Sequence, residues 1–211
     1  MLQKIKSLFK SFRSSSYWEN RYKQGGDSGA GSYNLLAEYK ASVINQFLRD
    51  KEIKSVIEWG CGDGNQLSLI NYPEYLGFDV SPTGLDICKE KFKTDTTKSF
   101  KHVAQYEEER SDLAISLDVI YHLVEQQVYL THLSSLFRSS TKWVLIFSSD
   151  HTENDGLAEH VKHRKFTLDI EEFHPDWELV KVWDNPHPFN GDYKTGTTAT
   201  FHLYERKGID A

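Results

Sequence analysis

The stretch SVIEWGCGDGNQLSL, residues 55–69, constrains the fold more than any other part of the chain. An apolar run takes up an acid, and glycines then occupy alternate positions, Gly60, Gly62 and Gly64. Glycine adopts positive φ without a Cβ clash and lets backbone N–H groups approach a ligand closely. Strand, glycine loop and helix in that order form the ligand-accepting corner of an open α/β sheet. The spacing discriminates between ligands. A dinucleotide loop asks for G-x-G-x-x-G, and counted from Gly60 its third glycine position holds Asn65. Glu58 at the strand end also suits a cation better than a pyrophosphate.

The segments around the loop alternate. KSVIEW, EYLGFDVS, SFKHVAQ, DLAISLDV and KWVLIFSS read as strands, the last apolar enough for a strand buried on both faces. Between them NQLSLINY reads as a short helix stopped before Pro73. SPTGLDICKEKF reads as a helix with Ser81 as N-cap and Pro82 at its first position, and VEQQVYLTHLSSLF as a long helix. Such alternation predicts a parallel sheet covered on both sides. FTLDIEEFHP begins as a helix, while DWELVKVWD and TATFHLYERK have no helix between them and predict an antiparallel hairpin.

Upstream, NLLAEYKASVINQFLRDK places Leu35, Leu36, Tyr39, Val43, Phe47 and Leu48 on one face of a helix ending near Asp50. Leu2, Ile5, Leu8, Phe9 and Phe12 recur at helical spacing among Lys4, Lys6, Lys10 and Arg13. A basic amphipathic helix over residues 1–13 either lies on an anionic membrane surface or packs on protein. Gly25–Ser32 reads as a mobile loop and lid hinge.

The 211 residues read as one domain, with the amphipathic helix and Gly-rich lid over 1–32 and the catalytic core over 33–211. A net charge of −6 argues against a broad nucleic-acid surface. Cys61 and Cys88 make no disulfide framework or zinc spacing, no metal site is expected, and a reducing compartment follows. No apolar run reaches the ~18 residues of a membrane span, and the opening residues lack the continuous apolar core of a secretory leader. A cytoplasmic location, at the inner face of the membrane if residues 1–13 bind lipid, is the expectation.

EWGCGDGNQ resembles motif I of the class I S-adenosylmethionine-dependent methyltransferases, acid-x-G-x-G-x-G, over a likeness spanning residues 53–206. The resemblance implies a three-layer Rossmann-like α/β sandwich. Its sheet would be seven-stranded and mostly parallel, with an antiparallel strand from the C-terminal hairpin. It implies S-adenosylmethionine as cofactor and S-adenosylhomocysteine as product. Glu58 would help hold the aminoacyl end, with Gly60, Cys61, Gly62, Asn65 and Gln66 beside the methionine and ribose. Asp79, at the end of the second strand, can accept both ribose hydroxyls, a feature shared with NAD enzymes. Val80 and Ser81 would flank the adenine, Gln105 and Tyr106 would stand at its edge, and Leu117 and Asp118 would line the methyl group. The acid usual at the Gln105–Tyr106 place is missing here.

An oxygen acceptor needs its proton removed, whereas a carboxylate or phosphate needs a cation to position it. His122 is the candidate base, with a packing role for the same imidazole as the alternative. HVKHR brings His160, His163 and Arg164 together as acceptor groups, or else forms part of a solvated loop. Tyr17, Trp18, Arg21 and Tyr22 offer stacking faces and a cation over the cofactor, Tyr121 follows the fourth strand, and His187 belongs to a second acceptor wall. GCGDGNQLSL, DVIYHLVE and HVKHRKF together resemble bacterial methyltransferases of glycan and capsule pathways. The resemblance implies O-methylation of a sugar, a phosphorylated sugar or a lipid-linked glycan. N- or carboxyl-methylation of a small metabolite or protein and a nucleotide-binding regulatory domain are the competing readings. The sequence leaves the oligomeric state open.

Overall fold

A computed structural model describes residues 12–208. Its seven strands are β1 (Ser55–Trp59), β2 (Glu74–Asp79), β3 (Lys98–His102), β4 (Ser111–Leu117), β5 (Ser140–Ser148), β6 (Trp177–Val182) and β7 (Thr200–Arg206). They form one sheet in the order β3-β2-β1-β4-β5-β7-β6. β1 to β5 run parallel, while β7 lies antiparallel to both β5 and β6. This is the Rossmann-like arrangement with a reversed C-terminal hairpin. Strand order reverses between β1 and β4, so a crevice opens where their C-terminal ends diverge.

Five helices complete the described chain: α1 (Ser14–Lys23), α2 (Asn34–Asp50), α3 (Pro82–Lys91), α4 (Gln126–Arg138) and α5 (Phe166–Phe173). Alternation along the strands divides the core in two. Val56, Leu113, Leu145 and Phe147 pack with Ile44 and Phe47 of α2 on one face. Ile57, Ala114, Val144 and Ile146 pack with Tyr129 and Leu133 of α4 and Phe166 of α5 on the other. Ser81 caps α3 as expected, its Oγ accepting from Gly84 N at 3.0 Å.

Two connections differ from the sequence reading. NQLSLINY forms only a 3-10 turn, Leu67–Leu69. Ser68 Oγ donates to Asn65 O at 2.6 Å, a local bond that competes with helix propagation. The third strand ends at His102, and Val103–Gln105 turn away as a 3-10 segment. There His102 Nδ1 accepts from Ala104 N at 3.2 Å and Gln105 Oε1 from His102 N at 2.9 Å. The β3–β4 crossover therefore carries no α-helix, and Trp59 takes up the space. Its ring stacks on Phe78 at 4.7 Å, meets Tyr106 edge-on at 5.1 Å, and its Nε1 donates to Ser139 Oγ at 3.0 Å.

The amphipathic segment read over residues 1–13 lies, except for Phe12 and Arg13, outside the described residues. Among those described, no helix is long and apolar enough to cross a membrane.

Candidate functional site

The glycine loop leaves β1 with Gly60 at φ +95° and Gly62 at φ +58°. A Cβ on Gly60 would collide with Val119, and one on Gly62 with Ser28 and Tyr22, so the loop fits under its neighbours only as glycine. Asp79, at the end of β2, holds the loop in place. Its Oδ2 accepts from Gly62 N at 2.9 Å and its Oδ1 from Ser81 N at 2.8 Å. Burial pushes the Asp79 carboxyl up from its ordinary range against these backbone donors.

A cavity of about 470 Å³ lies at the reversal point. Glu58, Gly60, Cys61, Gly62 and Gln66 form one wall; Asp79, Val80, Val103 and Ala104 form the next. Leu117, Asp118, Val119, His122 and Leu123, all after or at the end of β4, face them. α1 roofs the space with Trp18 and Tyr22, and the cavity runs on past Trp59 along Val128, Thr131 and His132 of α4.

The wall at Glu58 is prepared for a positively charged group. The carboxylate is 3% exposed and accepts from Tyr75 OH at 2.6 Å; its Oε1 makes no hydrogen bond among the described residues. Burial raises its pKa to about 7, partly opposed by the Tyr75 hydroxyl and by Lys40. Beside it Gln66 Nε2 donates to Ala37 O at 3.0 Å, leaving Gln66 Oε1 buried without a partner among the described residues. The Glu58 carboxylate and the unpartnered Gln66 Oε1 on one wall fit an ammonium. Val80, Val103 and Leu123 add apolar lining suited to a flat base.

His122 reaches the cavity from the 3-10 turn after β4, Ile120–His122. Its Nδ1 lies 2.9 Å from His160 O. A carbonyl only accepts, so Nδ1 carries the proton and Nε2 is left with its lone pair. Burial pulls the imidazole pKa down to about 4. Trp18 packs edge-on at 5.0 Å, His160 stacks at 5.3 Å, and Tyr17 stacks on His160 at 4.4 Å.

Several residues singled out in the sequence sit elsewhere. Arg164 is buried against Tyr129, its Cζ 4.4 Å from the ring centroid, and Nη2 donates to Val124 O at 2.9 Å. It fastens the loop after β5 to α4 and does not line the cavity. His163 Nδ1 lies 2.5 Å from Ser149 Oγ and its ring contacts His151, also off the cavity. HVKHR is compact in sequence, but its side chains face different neighbours. Arg21 pairs with Asp27, and His187 packs on the outer edge of Tyr39. Asn65 Nδ2 donates to Ser32 O at 2.7 Å, and Ser81 Oγ, while capping α3, donates to Glu19 Oε2 at 2.6 Å. Gln105 caps the turn after β3, Tyr106 covers Trp59 and Phe78, and Tyr121 OH donates to Asp118 Oδ1 at 2.8 Å.

A family model described as a methyltransferase domain matches residues 33–186. Among solved structures, the N-methyltransferase NodS from Bradyrhizobium japonicum WM9, in complex with S-adenosyl-L-homocysteine, is similar with a TM-score of 0.70 at 14% identity, over 93% of this chain and 100% of that one. Magnesium protoporphyrin IX methyltransferase (ChlM) from Synechocystis PCC 6803, with bound SAM, gives 0.64 at 12% identity, over 94% and 100%. The methyltransferase domain of bacterial CtHen1-C gives 0.64 at 20% identity, over 82% and 99%. At such identities the likeness speaks for the fold. A search of curated proteins gave no match.

Proposed function

The chain belongs to the methyltransferase-domain family, and from that premise we propose that it moves the methyl group of S-adenosylmethionine to a hydroxyl oxygen of a sugar or a similar small polar acceptor. Glu58 and Gln66 Oε1 would take the cofactor's ammonium, Asp79 its ribose hydroxyls, and Val80, Val103 and Leu123 its base. When bound, the cofactor supplies a methyl carbon on a sulfonium, already an excellent leaving group.

The residues of the chain do the rest. His122 carries the proposal. Its Nδ1 is committed to the His160 carbonyl, its Nε2 has no hydrogen-bond partner among the described residues, and the ring stays neutral at pH 7, so it can accept the acceptor hydroxyl's proton. α1 covers the cavity and keeps water from the reacting atoms. Among the described residues no Lys or Arg lines the cavity. A carboxylate or phosphate acceptor would need such a cation, so this wall favours a neutral hydroxyl. The resemblance of GCGDGNQLSL, DVIYHLVE and HVKHRKF to glycan-pathway enzymes supports a sugar.

The test pairs calorimetry with turnover on sugar, amine and carboxylate acceptors. We expect S-adenosylhomocysteine to bind, and His122→Ala to lower transfer to a hydroxyl by about 10²-fold. Its affinity for S-adenosylhomocysteine should stay within a few-fold. Turnover on amines alone, or an unchanged rate in His122→Ala, would sink the O-methyl reading.

A further inference from the structure

A lysine with no exposed surface stands behind the cavity wall. Lys40 lies on the apolar face of α2, one turn from Leu36 and one from Ile44, all three at most 1% exposed. It does not line the cavity. Its Nζ donates to Asp118 Oδ2 and lies 5.3 Å from the centroid of Phe147. Asp118 is the residue directly after β4. It adopts φ +59°, a left-handed backbone uncommon outside glycine, and its amide donates to Phe147 O at 2.9 Å. The second carboxylate oxygen accepts from Tyr121 OH at 2.8 Å. Gly31 closes the remaining side, where a Cβ would stand 2.6 Å from Asp118 Oδ2.

A leucine would pack at position 40 without the cost of desolvating an ammonium. The charge therefore calls for an explanation, and its surroundings supply one. The left-handed residue is the pivot from which Val119 and His122 descend, with His122 N donating to Val119 O at 2.8 Å. Strained backbone of this kind persists when neighbouring groups over-determine it. Lys40 and Tyr121 grip both oxygens of the pivot carboxylate from opposite elements.

We propose that Lys40 is a positioning residue. Through Asp118 it locks the turn that aims His122, and it sets one positive charge behind the two acids, Glu58 and Asp118, of the methyl-donor site. The proposal rests on the methyl-donor reading of that cavity. Glu58 is faced by Tyr75 and Tyr72, by Cys61 and Asp79, and by Lys40, the cation that favours its ionised form. Asp118 is faced by Lys40, Tyr121 and His122.

The experiment compares Lys40→Met, Asp118→Asn and the double variant with the wild type, in the full chain. Thermal melting is read first, without any ligand. Lys40→Met should melt below the double variant, because only the single change strands a carboxylate that is 10% exposed without its cation. Equal melting of the two overturns the pair, and this readout is independent of what the cavity binds. S-adenosylhomocysteine affinity is then followed across pH. In Lys40→Met the inflection should move to higher pH than in the wild type, since Glu58 loses a favourable neighbour. In the double variant kcat at saturating cofactor should fall about tenfold. Should Lys40→Met fail to fold, the double variant carries the kcat readout. Full kcat in the double variant overturns the proposal. So does an affinity loss in Lys40→Met for S-adenosylhomocysteine that is absent for an analogue lacking the carboxylate, which would make Lys40 a direct ligand. A wild type that melts as expected but binds no S-adenosylhomocysteine defeats the methyl-donor reading and leaves the Lys40–Asp118 lock standing.

Discussion

Glu58 ties the chemistry of the site to pH. Burial holds its carboxyl at about 7, against an ordinary value of 4.5. Below that value the side chain is protonated and offers a cation little; above it the charge is present. Binding of a cationic ligand should therefore strengthen as pH rises from 6 to 8, at up to about tenfold per unit below the pKa. Calorimetry of S-adenosylhomocysteine across that range checks it. Glu58→Gln should flatten the profile, and a profile equally steep in that variant would assign the titration to another group. The places of Glu58 and Asp79 on the cavity wall were legible because the glycine spacing fixes what precedes and follows the loop. Lys40 carried a fainter signal: Leu36, Lys40 and Ile44 share a helix face at i, i+4, and a lysine there breaks an apolar stripe. The roles of His163 and Arg164 were not legible, because adjacency in sequence says nothing about where side chains in an irregular loop turn.

α1 behaves as a strap with three fastenings. At its start Ser14 binds the Glu125 carboxylate just before α4. In its middle Glu19 accepts from Ser81 Oγ, Thr83 Oγ1 and Thr83 N at the start of α3. These donors, Ser81 foremost, hold the Glu19 carboxyl down at about 2, and the helix N-terminus favours the same charge. After its end Ser28 and Asp63 exchange bonds across the glycine loop, Ser28 N to Oδ2 at 2.9 Å and Asp63 N to Ser28 Oγ at 3.0 Å. Ligand exchange through this side of the cavity requires the strap to lift. Gly25 and Gly29, both at positive φ with open space around them, are the places for it to hinge. Glu19→Gln keeps the shape and removes the charge, so the dissociation rate of S-adenosylhomocysteine should rise about tenfold, equivalent to ~1.4 kcal/mol. Stopped-flow fluorescence of Trp18 and Trp59 reads that rate; an unchanged rate would mean the strap does not gate the cavity. The aromatic run YWENRY is consistent with the helix that covers the cavity, but its fastenings join residues up to 111 positions apart and leave no local pattern. The early end of β3 was hidden for a similar reason. SFKHVAQ has strand-like composition to its end, and only the His102 and Gln105 caps stop it early.

At the scale of the whole molecule, buried histidines set an acid limit on stability. Burial lowers the pKa of His122 and His132 from 6.5 to about 4, and moves His160, His163, His174 and His202 in the same direction. A folded pKa below the unfolded value means that the unfolded chain takes up protons first as pH falls. The stabilisation is complete above 6.5 and is lost progressively toward 4. At ~1.4 kcal/mol per unit, His122 and His132 contribute at most about 3 kcal/mol each. Glu58 has the opposite sign: its raised pKa stabilises the fold as pH falls from 7 toward 4.5, by about 3 kcal/mol at most. Asp79, also raised by burial, shares that sign; the six histidines outnumber these two carboxyls, so the net direction is loss in acid. At ~2–4 °C per kcal/mol for a chain of this size, the melting midpoint should drop by several degrees or more between pH 7.5 and pH 5. His132 is the informative residue, because it lies on α4 with Nε2 2.9 Å from Ser116 Oγ and takes no part in the proposed proton transfer. In His132→Gln an amide that does not titrate replaces the imidazole, so the midpoint at pH 7.5 should fall while its slope toward acid becomes shallower. A wild-type midpoint that stays level to pH 5 would show that the histidines are far better hydrated than their packing implies, and His122 would then no longer qualify as a base kept neutral by burial.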